Sequence, residues 1–302
     1  MKTATLESKF PLLAVENGCI ISKDADITVA YKVELPELFT LTSAEYEAMH
    51  STWAKAVKVL PNYSIVHKQD FFVEESYKPD ICKDGISFLS RSFERHFNER
   101  PYLQHTCYLF LTKTTKERSR TTSSFNALTR GFIIPKEMQD KETVSRFMEC
   151  CGQFERIVND SGLLRITRLT DGEITGTESS GIIEKYFSLS QEDTACLQDL
   201  SLGAGEMKVG DNYLCLHTLS DPEDLPSGVA TDCRYERLST DRSDCRLSFA
   251  APIGILLTCN HVVNQYLFID DSAENLRKFE QTARNMHSLS RYSRSNQINR
   301  EW

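Results

Sequence analysis

Side chains that could carry out chemistry are few in this chain, and they rarely stand at working distances from one another. A loop that cradles a nucleotide phosphate needs Gly-x-x-x-x-Gly-Lys-Ser/Thr between a strand and a helix. No glycine is followed by lysine anywhere in the 302 residues. Gly203, Gly205 and Gly210 lead toward a hairpin rather than a helix N-terminus, so they read as a turn. Zinc needs four converging ligands. Cys233, Cys245, Cys259 and His261 form the local Cys/His group, but Cys-x-His is tight for two ligands on one metal. They read as thiols packed between strands with a histidine at a strand end. No Gly-x-Ser-x-Gly elbow presents an activated serine. Asp221 and Asp224, beside Pro222 and Pro226, read as a solvated turn. The chain is therefore expected to hold no catalytic, metal-binding or cofactor-binding residue and not to be an enzyme by itself.

Two basic features remain. The connection from Lys113 to Arg130 carries Lys113, Lys116, Arg118, Arg120 and Arg130 against Glu117, with Phe125 available for stacking. Near the C-terminus, Arg277, Arg284 and Arg291 recur every seven residues and share one helical stripe. Both could contact nucleic-acid phosphates. The competing reading of the stripe is a solvated face, because Glu274–Lys278 and Glu280–Arg284 are favourable i,i+4 pairs.

The elements that would position these groups follow from hydrophobic period and punctuation. Asn17-Gly18 is a tight-turn dipeptide between strands at 12–16 and 19–22. Residues 26–35 alternate as a half-buried strand. Thr42-x-x-Glu45 is a capping box, with Leu41 and Tyr46 as its staple. Tyr46, Met49, Trp53, Val57 and Leu60 line the helix that follows, and Pro61 stops it. A strand is expected over 63–73. A helix over 87–99 has Leu89, Phe93 and Phe97 inward. The apolar run 103–111 reads as a central strand. Residues 113–136 form a long polar connection. Asp140 caps a helix with Val144, Phe147, Cys151, Phe154 and Val158 on one face, Gly162 closes it, and 163–169 returns as a strand. A short helix near 182–187 precedes a change of pattern. Residues 207–219 read as a hairpin around Gly210-Asp211-Asn212, with strands at 246–249, 253–259 and 263–269. Asp271-Ser272 opens a last helix whose Leu276, Phe279, Ala283 and Met286 mark a buried face.

The expected fold is α+β: an N-terminal β-hairpin and α/β layer with a mixed sheet over 1–202, a β-rich subdomain over 203–271, and a C-terminal helix over 272–302. That helix runs to Trp302 without a Gly, Asn or Pro stop, so a longer natural polypeptide with a further domain is expected. Apolar content of 40% and charged content of 26% are those of a globular protein. Residues 1–150 balance 20 basic against 20 acidic side chains, so the whole net charge of −8 lies beyond them. Such a balance disfavours default nucleic-acid binding. The ten cysteines have irregular spacing and read as reduced thiols of a cytoplasmic protein. The uncharged stretch 247–269 contains Pro252, Asn260, His261, Asn264 and Gln265, which argues against a transmembrane segment.

Several of these segments resemble a known family. Phe10-Pro-Leu-Leu-Ala-Val-Glu-Asn-Gly-Cys-Ile-Ile-Ser-Lys-Asp-Ala-Asp26 resembles the opening of the TraG-type conjugation ATPases of Bacteroides-type conjugative transposons. So do Phe93-Glu-Arg-His-Phe-Asn-Glu-Arg-Pro101 and Thr106-Cys-Tyr-Leu-Phe-Leu-Thr-Lys113. The resemblance continues through Tyr235-Glu-Arg-Leu-Ser-Thr-Asp-Arg-Ser-Asp-Cys-Arg-Leu-Ser-Phe-Ala-Ala-Pro252, Asn264-Gln-Tyr-Leu-Phe-Ile-Asp270 and Ala283-Arg-Asn-Met-His-Ser-Leu289. That family is similar to the VirB-type ATPases of type IV secretion, in which an α/β region precedes a RecA-like motor with the Walker motifs. This sequence is similar only to the front region. The resemblance implies a non-catalytic docking and assembly domain, cytoplasmic and peripheral to the inner membrane. Its implied partners are the other conjugation and secretion-channel proteins, with self-association. ATP and magnesium are implied only for the motor domain. The alternative is a nucleic-acid-binding module using 113–130 and the last helix.

Overall fold

A computed structural model of the chain describes residues 10–37, 40–77, 87–115, 138, 140–176, 181–188, 199–203, 205–219, 221, 224, 228–248 and 257–292. The chain opens with β1 (Leu12–Glu16) and β2 (Cys19–Ser22), joined through Asn17 and Gly18. Both turn residues have positive φ, 56° and 69°, the geometry that suits the strand twist of a two-residue hairpin. A distant pair clamps this turn. The Asp171 carboxylate accepts from the backbone N–H of Asn17 (3.1 Å) and of Gly18 (2.5 Å). The Arg168 guanidinium donates to the carbonyls of the same two residues at 3.0 and 3.2 Å. A Cβ at Gly18 would stand 3.1 Å from Arg168 Nε, so glycine leaves room for the clamp.

β3 (Ile27–Glu34) leads to α1 (Ser43–Val57), where Thr42 and Glu45 form the expected capping box. β4 (Ser64–Glu75), α2 (Phe88–Asn98) and β5 (Tyr102–Lys113) follow. α3 (Lys141–Asp160) starts on the Asp140 cap, and Gly162, with φ 68°, turns the chain into β6 (Arg165–Arg168). The main sheet runs β1-β2-β3-β5-β4-β12, with β6 also on β3. β2 and β6 share one edge of β3: β2 pairs with Ile27 to Val29, and β6 with Tyr31 to Glu34. The order β6-β3-β5-β4, with α1 and α3 as crossovers, is the split βαβ arrangement of a ferredoxin-like unit.

The fold class is α+β. The alternation of strands and helices correctly implies that β3 and β4, joined by α1, point the same way. β5 inserts between them, so the ladders from β3 to β4 are antiparallel. The two faces of the sheet carry separate cores. Phe147, Cys151, Phe154 and Val158 of α3 pack with α1 on Val29, Tyr31, Val66, Leu109 and Leu111. On the other face, α4 (Asp171–Thr175) and α5 (Ile182–Ser188) bring Ile174 and Ile182 onto Ile20, Ala30, Phe71, Tyr108 and Leu169. α4 was not foreseen from the sequence. Its capping box, Thr170 with Glu173, is of the same kind as the one read at Thr42.

The remaining elements are β7 (Leu200–Leu202), β8 (Met207–Val209), β9 (Asn212–Leu214), β10 (Asp232–Arg234), β11 (Arg246–Ser248), β12 (His261–Ile269) and α6 (Ser272–Tyr292). The expected boundary at 202/203 falls inside the β7-β8-β9 sheet, since Leu202 pairs with Met207. β12 pairs with β4 over nine positions as a strand of the first sheet. β10 and β11 reach back to α1, where Ser43 Oγ donates to Asp232 (2.9 Å) and Tyr46 OH to the Arg246 carbonyl (3.2 Å). The strand expected over 253–259 lies mostly outside the described residues, and 257–259 are not strand.

Two expected inward faces point outward. On α2, Phe88 is 83% exposed, Leu89 77%, Phe93 62% and Phe97 44%. On α6, Leu276, Phe279 and Met286 are exposed, as is every residue from 276 to 288. Helical period identifies an apolar stripe, but it does not say whether the same chain covers it.

Phe154 is fully buried and meets Trp53 edge-on, with ring centroids 5.7 Å apart. Phe154→Ala is expected to lower the unfolding free energy by about 3–5 kcal/mol, read from Trp53 fluorescence in a urea titration. A loss below roughly 1 kcal/mol would show that α3 is not packed on this face as described.

Candidate functional site

Alternation along β4 and β5 sends every second side chain to the face shared with α1 and α3. Near the sheet's middle those side chains are Val66, Leu109 and Leu111, and the helices cover them. Farther along the ribbon the same face carries Lys68, Asp70 and Phe72 of β4 and His105 and Cys107 of β5, in register with one another. There it opens into a cavity of about 420 Å³, walled by Tyr46, Met49 and Trp53 of α1 and by Val33, Ile166 and Val263. An apolar cavity with a few convergent polar groups is the usual form of a ligand site.

The polar floor is organised by one carboxylate. The Asp70 side chain is only 7% exposed. His105 Nε2 lies 2.9 Å from Asp70 Oδ1, and Lys68 Nζ reaches Oδ2. An ionised carboxylate only accepts, so the Nε2 of His105 carries the proton. Burial pushes the Asp70 pKa up. The hydrogen bond from His105, the charge and hydrogen bond of Lys68, and a hydrogen bond from the Cys107 thiol outweigh it and hold the group at about 2, below the ordinary 3.8. The same burial pushes the Cys107 thiol far up, against the opposing charge of Lys68. Cys107 is therefore a protonated core thiol, not an activated nucleophile.

A row of rings crosses the floor. His105 stacks on Phe72 at 4.4 Å and 3°, and Phe72 stacks on His261 at 4.5 Å and 11°. His261 Nδ1 pairs with the Cys259 carbonyl at 2.7 Å, while its Nε2 is buried without a protein partner. On the opposite face, His67 stacks on Tyr266 at 4.2 Å and donates to Asn264 at 2.8 Å. Burial pulls its pKa down, against the opposing hydrogen bond to Asn264.

The residues singled out from sequence fall elsewhere. Lys113 is buried at the end of β5, and its ammonium donates to the carbonyls of Asn62 (2.7 Å) and Thr114 (3.1 Å). Its donors face the protein interior. Lys116, Arg118, Arg120 and Arg130 lie outside the described residues. Arg277 and Arg284 are exposed on α6, and the two expected pairs form, Lys278–Glu274 at 3.2 Å and Arg284–Glu280 at 3.5 Å. The backbone of Arg291 belongs to α6. Cys233 and Cys259 are exposed and Cys245 is buried. Among the described residues no group of three or more His, Cys, Asp or Glu is placed to hold a metal ion. The Lys68–Asp70–His105 group was missed from sequence. Its signal was available: a charged pair at i,i+2 on the strand face that also carries Val66 and Phe72.

Because the folded pKa of Asp70 is depressed, its contribution is present above about pH 4 and is lost as pH falls toward 2. The shift corresponds to about 2 kcal/mol. In urea titrations across pH, wild type is expected to exceed Asp70→Asn in stability at neutral pH, with the gap closing by about pH 2. A gap that does not change with pH would show that the carboxylate is not held by these donors.

One family model, described as "Domain of unknown function, B. Theta Gene description (DUF3875)", matches residues 1–51. That span holds the β1–β2 hairpin, β3 and the first half of α1, and the match fits a Bacteroides-type gene. No curated protein matches the chain. No helix among the described residues is long and apolar enough to cross a membrane.

Proposed function

We propose that this chain is the docking and assembly region of a conjugative DNA-transfer ATPase of the TraG type, attaching the motor to the type IV secretion channel at the cytoplasmic face of the inner membrane. The observation that carries this reading is α2. It lies between β4 and β5, beyond the last paired residues Glu75 and Tyr102, and its Leu89, Phe93 and Phe97 share one exposed stripe. Tyr77 steadies it: Phe97 meets the Tyr77 ring, and Asn98 donates to the Tyr77 carbonyl at 2.8 Å. Exposed aromatic anchors on an ordered helix are the residues that carry protein–protein affinity. The sequence resemblance to the front of the conjugation ATPases favours the same reading, and the family match over residues 1–51 fits a Bacteroides-type gene. ATP and magnesium then belong to the motor and not to this region.

The second reading, nucleic-acid contact through α6, draws on the exposure of Arg277 and Arg284. Salt separates the two, because phosphate contacts weaken steeply with ionic strength and apolar anchors do not.

In pull-downs against the other conjugation proteins, the wild-type chain is expected to retain a channel component. The Leu89→Asp/Phe93→Asp variant is expected to bind it roughly thirty-fold more weakly, the effect of about 2 kcal/mol at a hot spot. Its thermal melt should be unchanged, since both side chains are exposed. Retention that is equal for both proteins, or that collapses with salt, would overturn the docking reading.

A further inference from the structure

The cavity over the sheet has a polar floor that the docking reading does not use. Beneath it β5, β4 and β12 lie in register, so that Cys107, Asp70 and Val263 form one cross-strand row and Leu109, Lys68 and Gln265 the next. Asp70 holds its neighbours in place. Its side chain is 7% exposed, and His105, Lys68 and Cys107 fill its acceptor sites. Lys68 is the reverse case. An ammonium has three donors, and one of them is spent on Asp70. Among the described residues no other acceptor meets it, and its side chain is 31% exposed where it lines the cavity. Gln265 stands beside it on the same row, with an amide that also donates. The walls around this pair are apolar, with Met49, Trp53, Leu164 and Ile166 among them.

We infer that this cavity binds an amphipathic monocarboxylate, an apolar chain that carries one carboxylate head. The head accepts from the remaining Lys68 protons and from the Gln265 amide, and the chain lies among Met49, Trp53 and Ile166. Three arguments select this chemistry. A cation would compete with Lys68 for Asp70, whose acceptor sites are taken. A wholly apolar molecule would strip water from the Lys68 ammonium and return no hydrogen bond, which is costly. A carboxylate restores that bond, and a charge-assisted hydrogen bond is about twice as strong as a neutral one. Size follows from the volume. About 420 Å³ is the room that roughly fourteen waters take up in the liquid, which suits a ligand of about a dozen non-hydrogen atoms. α2 supplies none of the described lining residues, so this inference and the docking reading stand or fall separately.

The test titrates decanoate into the full 302-residue chain by isothermal calorimetry, with decanol as the uncharged control. Decanoate is expected to saturate at one per chain and to bind more tightly than decanol. Lys68→Met keeps the apolar stem and removes the ammonium. It is expected to weaken decanoate by at least about tenfold while leaving decanol within about twofold. Lys68→Arg keeps the charge and is expected to retain decanoate. Met49→Trp fills the apolar end without touching the floor and is expected to weaken both ligands. Absence of saturable decanoate binding, or equal affinity for decanol, would overturn the inference. A Lys68→Met variant that binds decanoate as wild type does, or that loses both ligands alike, would overturn it as well.

Discussion

The insertion of β5 between β3 and β4 is the constraint on which the rest of the molecule depends. β5 pairs with β4 over twelve positions and with β3 over seven. The near half of this ladder is shared by three strands and carries a core on each face. The far half, beyond the end of β3, keeps β4 and β5 paired up to Glu75 and Tyr102. There the helices no longer cover the sheet fully, and the cavity opens. A shorter ladder would remove the floor of the cavity and the base from which α2 departs. The ladder holds together because both strands are rich in β-branched and aromatic residues, and because β5 is apolar on both faces where it is central.

Asp70 shows how a polar group survives on that ladder. A buried carboxylate costs more than it returns unless its acceptor sites are filled. Here His105, Lys68 and Cys107 fill them, from the same strand or the one beside it. Each donor is placed by strand register and needs no loop to deliver it. A well-packed apolar trio could be as stable. Stability alone therefore does not account for the charges, and their setting beneath an apolar cavity fits a surface built to meet a ligand or a partner group.

Much of this was legible from local signals. The Asn17-Gly18 turn, the Thr42–Glu45 capping box, the Asp140 cap and the Gly162 stop all depend on neighbours within a few residues, and each appears where the sequence puts it. Strand order was not legible. That β5 inserts between β3 and β4, and that β12 returns across nearly two hundred residues to join β4, depends on contacts with no local trace. Lys113 failed for a related reason. Counting charges along a connection treated it as part of a solvated loop, whereas β5 runs through it and buries its ammonium among carbonyls. The apolar stripes of α2 and α6 were found by period, but period does not distinguish a face that meets its own core from one that waits for another molecule.

The exposed apolar surface falls into two physical kinds, and they suit different partners. α2 and α6 have satisfied their backbone hydrogen bonds internally, so a partner meets side chains alone, and specificity rests on which pockets accept Phe93 or Phe279. β12 lies along β4 through a main-chain ladder of nine positions, where register decides the match. A helix face tolerates a range of orientations, because ridges can settle into grooves at more than one angle. A strand edge does not, since a one-residue slip sends every side chain to the wrong face. A helix face therefore suits attachment to a dissimilar protein better than a strand edge does. The two meet the ribbon differently: α2 departs beyond its far end at Glu75 and Tyr102, whereas β12 runs along β4 from Phe72 to Ser64.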